Sequence, residues 1–360
     1  ENEINPYCDE WEAAGTFPMR EVFKKMGDLG LLGISKPEEY GGMGLDYSYN
    51  IVAAEELGAA HCGGVPLSIG VQTDMCTPAL ARFGSDELRK EFLAPAIAGE
   101  MIGCIGVSEP GAGSDVAGLK TTAKKDGDDY IINGTKMWIT NSPSADYICL
   151  LANTSDDKVH VNKSLIVVPM NTPGVSVGKK LEKLGMRSSE TAQVFFEDVR
   201  IPQSNRIGNE GMGFMMLMKE LAWERLMVGI MSQAAAEVSF AHTVQYVKER
   251  KAFGREIASF QNTQFKLAEM SATLTMARIF VDKCLELHLD KNLDVVTAAK
   301  LKLLSTEIQC DVIDECLQLH GGYGYMWEYP VARAYADARV QKIYAGTNEI
   351  MKLIIGRSLV

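Results

Sequence analysis

Apolar residues are distributed along this chain in three successive textures. From residue 1 to about 103 they recur three and four positions apart, as in PMREVFKKMGDLGLLG, YSYNIVAAEELGAA and SDELRKEFLAPAIAG, the spacing that builds one apolar stripe on an α-helix. Ser85 ahead of Asp86 and Glu87 reads as an N-cap followed by an acidic first turn. Near Cys104 the texture changes. CIGVS, YIINGTKMWIT, DYICLLA, SLIVVPM and TAQVFFEDVRI are short runs of β-branched and aromatic residues broken by turn formers, and they predict strands. The Asn133-Gly134 pair inside YIINGTKMWIT predicts a hairpin turn at that point. From about 206 the helical spacing returns, in long patterns over 210–250, 260–290 and 294–319. A helical domain (1–103), a β domain (104–205) and a second helical domain (206–360) are expected in that order, making an α+β chain.

Within the third segment, KELAWERLMVGIM sets an acid and a base into an apolar, helix-forming run. On a helical wheel Leu217, Leu221, Val228 and Met231 share the side of Glu224, so this carboxylate should face a core or a cavity. A buried carboxylate is paired, protonated or put to use, because leaving it bare is too unfavourable. Either an ion pair with a distant Arg or Lys or a functional acid satisfies that condition.

Composition removes several function classes. A net charge of −11 from 36 basic and 47 acidic residues argues against general binding to nucleic acid or to an anionic membrane. No apolar stretch reaches the length of a membrane span. The eight Cys, at 8, 62, 76, 104, 149, 284, 310 and 316, include no C-x-x-C pair and suit free thiols in a reducing compartment. The five His show no metal-ligand spacing, so no metal is expected. The chain opens on Glu1 instead of Met, as expected where any targeting peptide has been removed or was never part of the sequence, and this leaves the compartment open.

Five stretches carry candidate chemistry. CIGVSEPGAGSD leaves a strand into a loop where Gly111, Gly113 and Ser114 could offer N–H groups to an anion, or simply turn. It fails as a dinucleotide fingerprint, because Val116 stands where a third Gly is needed. KMWIT places Trp138 and Thr140 on one strand face by the period of two, a stacking plane beside a hydroxyl, though an ordinary core Trp would look similar. ERKAFGREIASFQ combines Arg250, Phe253 and Gln261, which a solvated helix end also explains. QLHGGYGYMWEYP joins two helices by a loop too rich in Gly and aromatics for a mere connector, with Gly321 and Gly322 suggesting close backbone approach. IYAGTNEI puts Thr347 at an apparent helix start, a ready site for an oxyanion.

Taken in order, EPGAGSD, MWITN, ERKAFG…FQ, QLHGGYGYMWEYP and IYAGTNEI resemble the acyl-CoA dehydrogenase family over nearly the whole chain, and HGGYGYMWEYPVARAYADARVQ with KELAWERL is most similar to its long-chain branch. The resemblance implies an N-terminal helical domain, a middle antiparallel β domain and a C-terminal four-helix bundle. It implies FAD, with Ile105, Val107, Ser108, Gly113 and Ser114 along the flavin and its arm, and Trp138, Ile139 and Thr140 at the ring. Arg250, Phe253, Gln261, Gln318, Leu319, His320, Gly321 and Gly322 would hold FAD across a subunit boundary, while Thr347, Asn348 and Glu349 would touch its pyrophosphate side. Ser114, Ala222, Trp223, Arg225, Tyr344, Ala345 and Gly346 would lie by the acyl-CoA. No nucleic acid is expected; the implied partners are the acyl-CoA substrate, electron-transferring flavoprotein and copies of this chain in a homotetramer, a dimer of dimers. The compartment would be the mitochondrial matrix in a eukaryote or the cytoplasm in a bacterium.

One departure from the family pattern bears on Glu224. Most members carry the catalytic Glu immediately before the Gly-Thr of the last motif, where this chain has Ala345. The long-chain and isovaleryl branches place the base on a C-terminal helix within Glu-Arg-Leu, which Glu224-Arg225-Leu226 matches. Glu224 would then take the α proton of the thioester, its apolar surroundings raising its pKa toward the working pH, while the Ala345 N–H would serve the carbonyl oxygen. The expected reaction is α,β-dehydrogenation of medium-to-long-chain or methyl-branched acyl-CoA to the trans-2-enoyl thioester, in fatty acid β-oxidation, with pocket depth set in part by GGVPLSIG (63–70). A short branched-chain dehydrogenase, an acyl-CoA oxidase and a non-catalytic assembly factor on the same fold are the alternatives.

Overall fold

The computed structural model describes residues 2–360. Helices α1 (Cys8–Ala14), α2 (Met19–Asp28), α3 (Tyr47–Gly58), α4 (Gly64–Gly70), α5 (Thr77–Phe83), α6 (Asp86–Leu88) and α7 (Ala94–Ile97) form the first segment. The α4–α5 and α6–α7 pairs are continuous, each joined by a π-helical stretch, Val71–Cys76 and Arg89–Leu93. The cause is legible. Pro78 and Pro95 open the second helix of each pair, and neither supplies the N–H that the carbonyl four residues earlier would accept, so the turn widens. Within the first stretch Thr77 Oγ1 donates to the carbonyls of Gln72 (2.7 Å) and Thr73 (3.1 Å). Ser85 caps α6 as expected, its hydroxyl accepting from Leu88 N–H at 3.3 Å.

The second segment holds strands β1 (Gly103–Gly106), β2 (Thr122–Asp126), β3 (Asp129–Thr140), β4 (Tyr147–Asn153), β5 (Lys163–Pro169), β6 (Val175–Val177), β7 (Thr191–Pro202) and β8 (Arg206–Ile207). Their order is β6-β7-β3-β2-β4-β5-β8, and the sheet is antiparallel except that β4 pairs in parallel with β1 and β2. The period of two sorts β4 between two cores. Ile148, Leu150 and Ala152 join Tyr130, Ile132 and Phe196, while Tyr147, Cys149 and Leu151 pack on Leu80, Phe92 and Leu93 of the first segment. Both faces are covered, which is why YICLLA reads as one apolar run.

The hairpin expected at Asn133-Gly134 is not there. Both residues lie inside β3, and the turn falls at Gly127-Asp128, where Asp126 pairs with Asp129 across two residues and Gly127 takes φ 61°. Gly134 serves close packing instead: a Cβ on it would sit 2.8 Å from the Thr121 Cα.

The third segment is helical: α8 (Gly213–Glu249), α9 (Gln261–Leu289), α10 (Val295–His320), α11 (Pro330–Ala338) and α12 (Asn348–Arg357). α8 runs for 37 residues, about 55 Å, and its apolar face meets Ile51 and Ala54 of α3, Val281 of α9 and Leu301 of α10 in one cluster. Asp294 and Thr347 cap α10 and α12 through their side-chain oxygens.

Candidate active site

Glu224 sits one-third of the way along α8, 9% exposed. Among the described residues its carboxylate accepts no hydrogen bond and closes no salt bridge, so the distant ion pair that a structural role requires is not formed. Burial pushes it up to about 8, the nearby Glu220 charge adds to that, Arg225 opposes it and Asp74 adds again. Arg225, 3% exposed, leaves Nε and Nη1 buried without a partner, and burial lowers its pKa. A guanidinium in that state is poised for an acceptor that the protein itself does not provide.

The guanidinium points toward the last loop: a Cβ on Gly346 would lie 3.9 Å from Arg225 Nη2. Ala345 and Gly346 are both left-handed, at φ 52° and 85°, an arrangement an Ala adopts only when its surroundings impose it. The buried Lys302 braces the residues that follow. Its Nζ donates to Gly346 O (2.9 Å) and Asn348 Oδ1 (2.8 Å), and Asn348 Nδ2 donates to Thr306 Oγ1 (3.1 Å). Desolvation brings Lys302 down to about 8. Among the described residues the Ala345 N–H makes no hydrogen bond, and Tyr344 O–H donates to Gln341 Oε1 at 2.5 Å.

In the β domain a second buried pair fixes the glycine loop. Lys136, fully buried, donates to Glu109 Oε1 (2.9 Å) and Val107 O (3.0 Å), and Glu109 also accepts from Lys120 N–H and from the Thr121 N–H and O–H. Burial alone would raise Glu109; the Lys136 charge and these hydrogen bonds outweigh it and hold it low. Met137 N–H donates to Ser108 O at 2.9 Å, which ties the loop to β3 beside Trp138. Ile105, Val107 and Ser108 are half-buried, whereas Gly113 and Ser114 are exposed. A Cβ on Gly111 or Gly113 would meet nothing within 4 Å, so the loop borders open space.

Regular alternation does not place Trp138. It would put Trp138 on the face of Lys136, yet Lys136 is fully buried and Trp138 is 57% exposed. A bulge between Lys136 and Ile139, opposite Val194 and Ala192 of β7, turns Trp138 to φ 59° and swings its indole outward. Ile139 takes the inward place, and Thr140 Oγ1 lies 3.2 Å from Thr191 Oγ1. Trp223, expected beside a ligand, is 3% exposed and packed in the core under Tyr47 and His288. Its neighbour Ala222 is half-buried.

A third group stands apart. Arg250, Gln318, Leu319, His320, Gly321 and Gly322 border a cavity of about 590 Å³ whose walls include no residue of the β domain. The Arg250 guanidinium lies 5.1 Å over the Tyr323 ring. Phe253 is 96% exposed at φ 54°, and Gln261 opens α9 in solvent. Glu349, exposed in the first turn of α12, is lowered chiefly by a backbone hydrogen bond. The expected site residues thus fall into three groups, the turn of α8 with the 344–348 loop, the β-domain loop with Trp138, and the 250–322 cavity.

Sequence reasoning missed the residues that hold these groups in place: Glu109 and Lys136, Lys302, and Asp337. The only local signal for Lys302 is its place as one of two bases in the apolar run AAKLKLL. Asp337 accepts from Gly63 N–H (2.7 Å) and from Met186 N–H, so it touches all three segments, and burial pushes it up to about 6. Beside it a cavity of about 100 Å³ runs between α4 and α8, lined by Pro66, Leu67, Met231, Ala235, Val238 and Tyr344 among others.

Three family descriptions match the chain in order: acyl-CoA dehydrogenase N-terminal domain over residues 1–100, middle domain over 104–199 and C-terminal domain over 211–360. A Rattus norvegicus long-chain specific acyl-CoA dehydrogenase is 45% identical across 100% of this chain and 84% of its own length. A Mus musculus short-chain specific acyl-CoA dehydrogenase is 40% identical across 100% of this chain and 87% of its own. The crystal structure of an acyl-CoA dehydrogenase from Geobacillus kaustophilus superposes with a TM-score of 0.96 at 44% identity, covering 99% of this chain and 94% of that one.

Proposed function

This chain belongs to the acyl-CoA dehydrogenase family, and on that premise we propose that Glu224 is the base that removes the α proton of an acyl-CoA thioester. It is an FAD-dependent enzyme acting on fatty acyl-CoA. FAD, when bound, supplies the acceptor for the β hydrogen as hydride. The residues present suit it: an outward indole at Trp138 for the ring, a glycine loop bordering open space, and a cavity beside Arg250 and Gly321 for the distal half. Trp138 is the stacking plane and Thr140 the hydroxyl beside the ring.

The observation that carries the reading is the bare Glu224 carboxylate, buried, unpaired and held near neutrality, on the helix turn whose Arg225 reaches the Ala345-Gly346 loop. A base works best when its pKa lies near the operating pH, so that it is ionised often enough and still strong enough. The Ala345 N–H, free and held by a left-handed backbone, is the donor for the thioester oxygen as charge develops there. Arg225 supplies two further unpaired donors for the CoA-bearing part. Glu224→Gln should keep fold and cofactor while anaerobic flavin reduction by acyl-CoA falls by about 10² or more. Reduction at the wild-type rate would overturn the assignment.

The substrate is a medium-to-long or methyl-branched acyl chain. What supports this is the cavity past Glu224, where Met231 and Val238 stand about 10 and 20 Å further along α8. A profile of kcat/KM against chain length should rise beyond eight carbons or so; a sharp maximum at butyryl- or isovaleryl-CoA would sink the idea. Electrons then pass to electron-transferring flavoprotein, and comparable turnover with oxygen, releasing peroxide, would mark an oxidase instead.

A further inference from the structure

Behind Glu224 stands a second carboxylate that the chemistry above does not use. Asp74 is 8% exposed and lies in the π-helical stretch Val71–Cys76, four residues before Pro78. Its Oδ1 accepts from Trp223 Nε1 at 3.0 Å and its Oδ2 from Thr73 Oγ1 at 2.6 Å. Trp223 immediately precedes Glu224. Its ring meets those of Tyr47 at 4.0 Å and His288 at 4.9 Å between centroids, so the indole is wedged between two aromatic rings and Asp74 accepts its N–H. An indole fixed in this way fixes the rotation of α8 about its axis, and Glu224 is a single 100° step further round.

Resting on the reading of Glu224 as base, we propose that Asp74 is a positioning residue for it: the carboxylate holds the Trp223 indole, and its charge, with that of Glu220, sets the pH at which the base works. The charged and titratable groups facing this cluster come from every element around it. α8 contributes Lys219, Glu220, Glu224 and Arg225; the π-helical stretch contributes Cys76 beside Asp74; the chain before α3 contributes Lys36; α5 contributes Arg82; α3 and α9 contribute Tyr47 and His288. Lys36 donates to Thr73 O at 2.8 Å and not to Asp74 itself. Arg82 Nη1 donates to one oxygen of Glu220 at 2.8 Å and its Nη2 to the Tyr47 hydroxyl oxygen, while Glu220 Oε2, buried, has no partner among the described residues. Asp74 therefore closes no salt bridge among the described residues, Glu220 shares only one oxygen with Arg82, and both carboxylates act on Glu224. The direction agrees: after burial, Glu220 and Asp74 raise Glu224 and only Arg225 opposes them. Asp74 is itself raised by burial, against which the Thr73 hydrogen bond, the Lys36 charge and the Trp223 hydrogen bond all act.

Asp74→Asn separates the two roles, because the amide keeps an oxygen for Trp223 Nε1 and loses the charge. The flavin-loaded enzyme should then show its pH midpoint for acyl-CoA-driven flavin reduction moved down by about half a unit to one unit, with the plateau rate within about threefold of wild type. Asp74→Ala removes the hold as well, and should lower the plateau by about tenfold and shift the tryptophan emission. An infrared titration of the Glu224 carboxyl band, with Glu224→Gln as its blank, reads the same shift without turnover. It therefore still decides the matter if the Asn variant is slow. A midpoint in Asp74→Asn that is unmoved or higher overturns the proposal. Failure of the underlying reading looks different, since Glu224→Gln would then reduce its flavin normally. If Glu224→Gln is dead and the Asp74→Asn midpoint stays in place, the base stands and Asp74 is structural only.

Discussion

Glu224 carries a proton at pH values where a free glutamate, ordinarily at 4.5, has lost it, since its environment holds it to about 8. Between those values the folded chain binds more protons than the unfolded one. The stabilisation from the neutral carboxyl is therefore complete below about 4.5 and is lost as the pH climbs through 8. Glu224→Gln cannot ionise and should escape the loss. Its melting temperature should gain on wild type between pH 5 and 8.5, by the equivalent of on the order of 4 kcal/mol. Melting temperatures that stay parallel across that range would show the carboxylate to be solvated or paired. An ion-paired structural glutamate would give the opposite, a Gln variant weakest near neutrality. At this scale the acid was legible, because one charged letter in an apolar stripe is conspicuous. Trp138 was legible as an aromatic but not in its direction, which the opposite strand decides through a bulge.

Among the elements, β3 shows what the sequence pattern can mislead about. Asn133-Gly134 has turn chemistry, yet Gly134 is needed because Thr121 lies against it, and β3 continues through. The same strand delivers Lys136 to the inside, where it neutralises Glu109 and pins the glycine loop at Val107. Lys136→Met should leave Glu109 buried with an uncompensated charge. The expected result is a loss of about 3–5 kcal/mol in stability and weaker cofactor retention, both read by thermal melts followed through flavin release. A variant as stable as wild type with its flavin intact would refute the clamp. The π-helical stretches, by contrast, follow from Pro78 and Pro95 once a helix is granted on either side.

For the molecule as a whole, the walls of the 250–322 cavity hold no β-domain residue, Trp138 lies on the β domain, and Phe253 is bare. If both hold one FAD, they belong to different copies of the chain. A homotetramer, as a dimer of dimers, is then expected, and light scattering on the flavin-loaded protein should find four chains; an active, flavin-loaded monomer would contradict it. The sequence by itself determined the order helix, strand, helix and the places of the long C-terminal helices, because these depend on periodicity, while the reading of Glu224 as the base in place of a carboxylate in the last loop rests on the family resemblance. Only the tertiary structure decided that Glu224 closes no salt bridge among the described residues, that Trp138 faces outward and Trp223 inward, and that Lys302 holds the Gly346 carbonyl next to a left-handed Ala345. Each of these is a contact between residues far apart in the chain, set by which strand or helix lies opposite, and no local pattern encodes it.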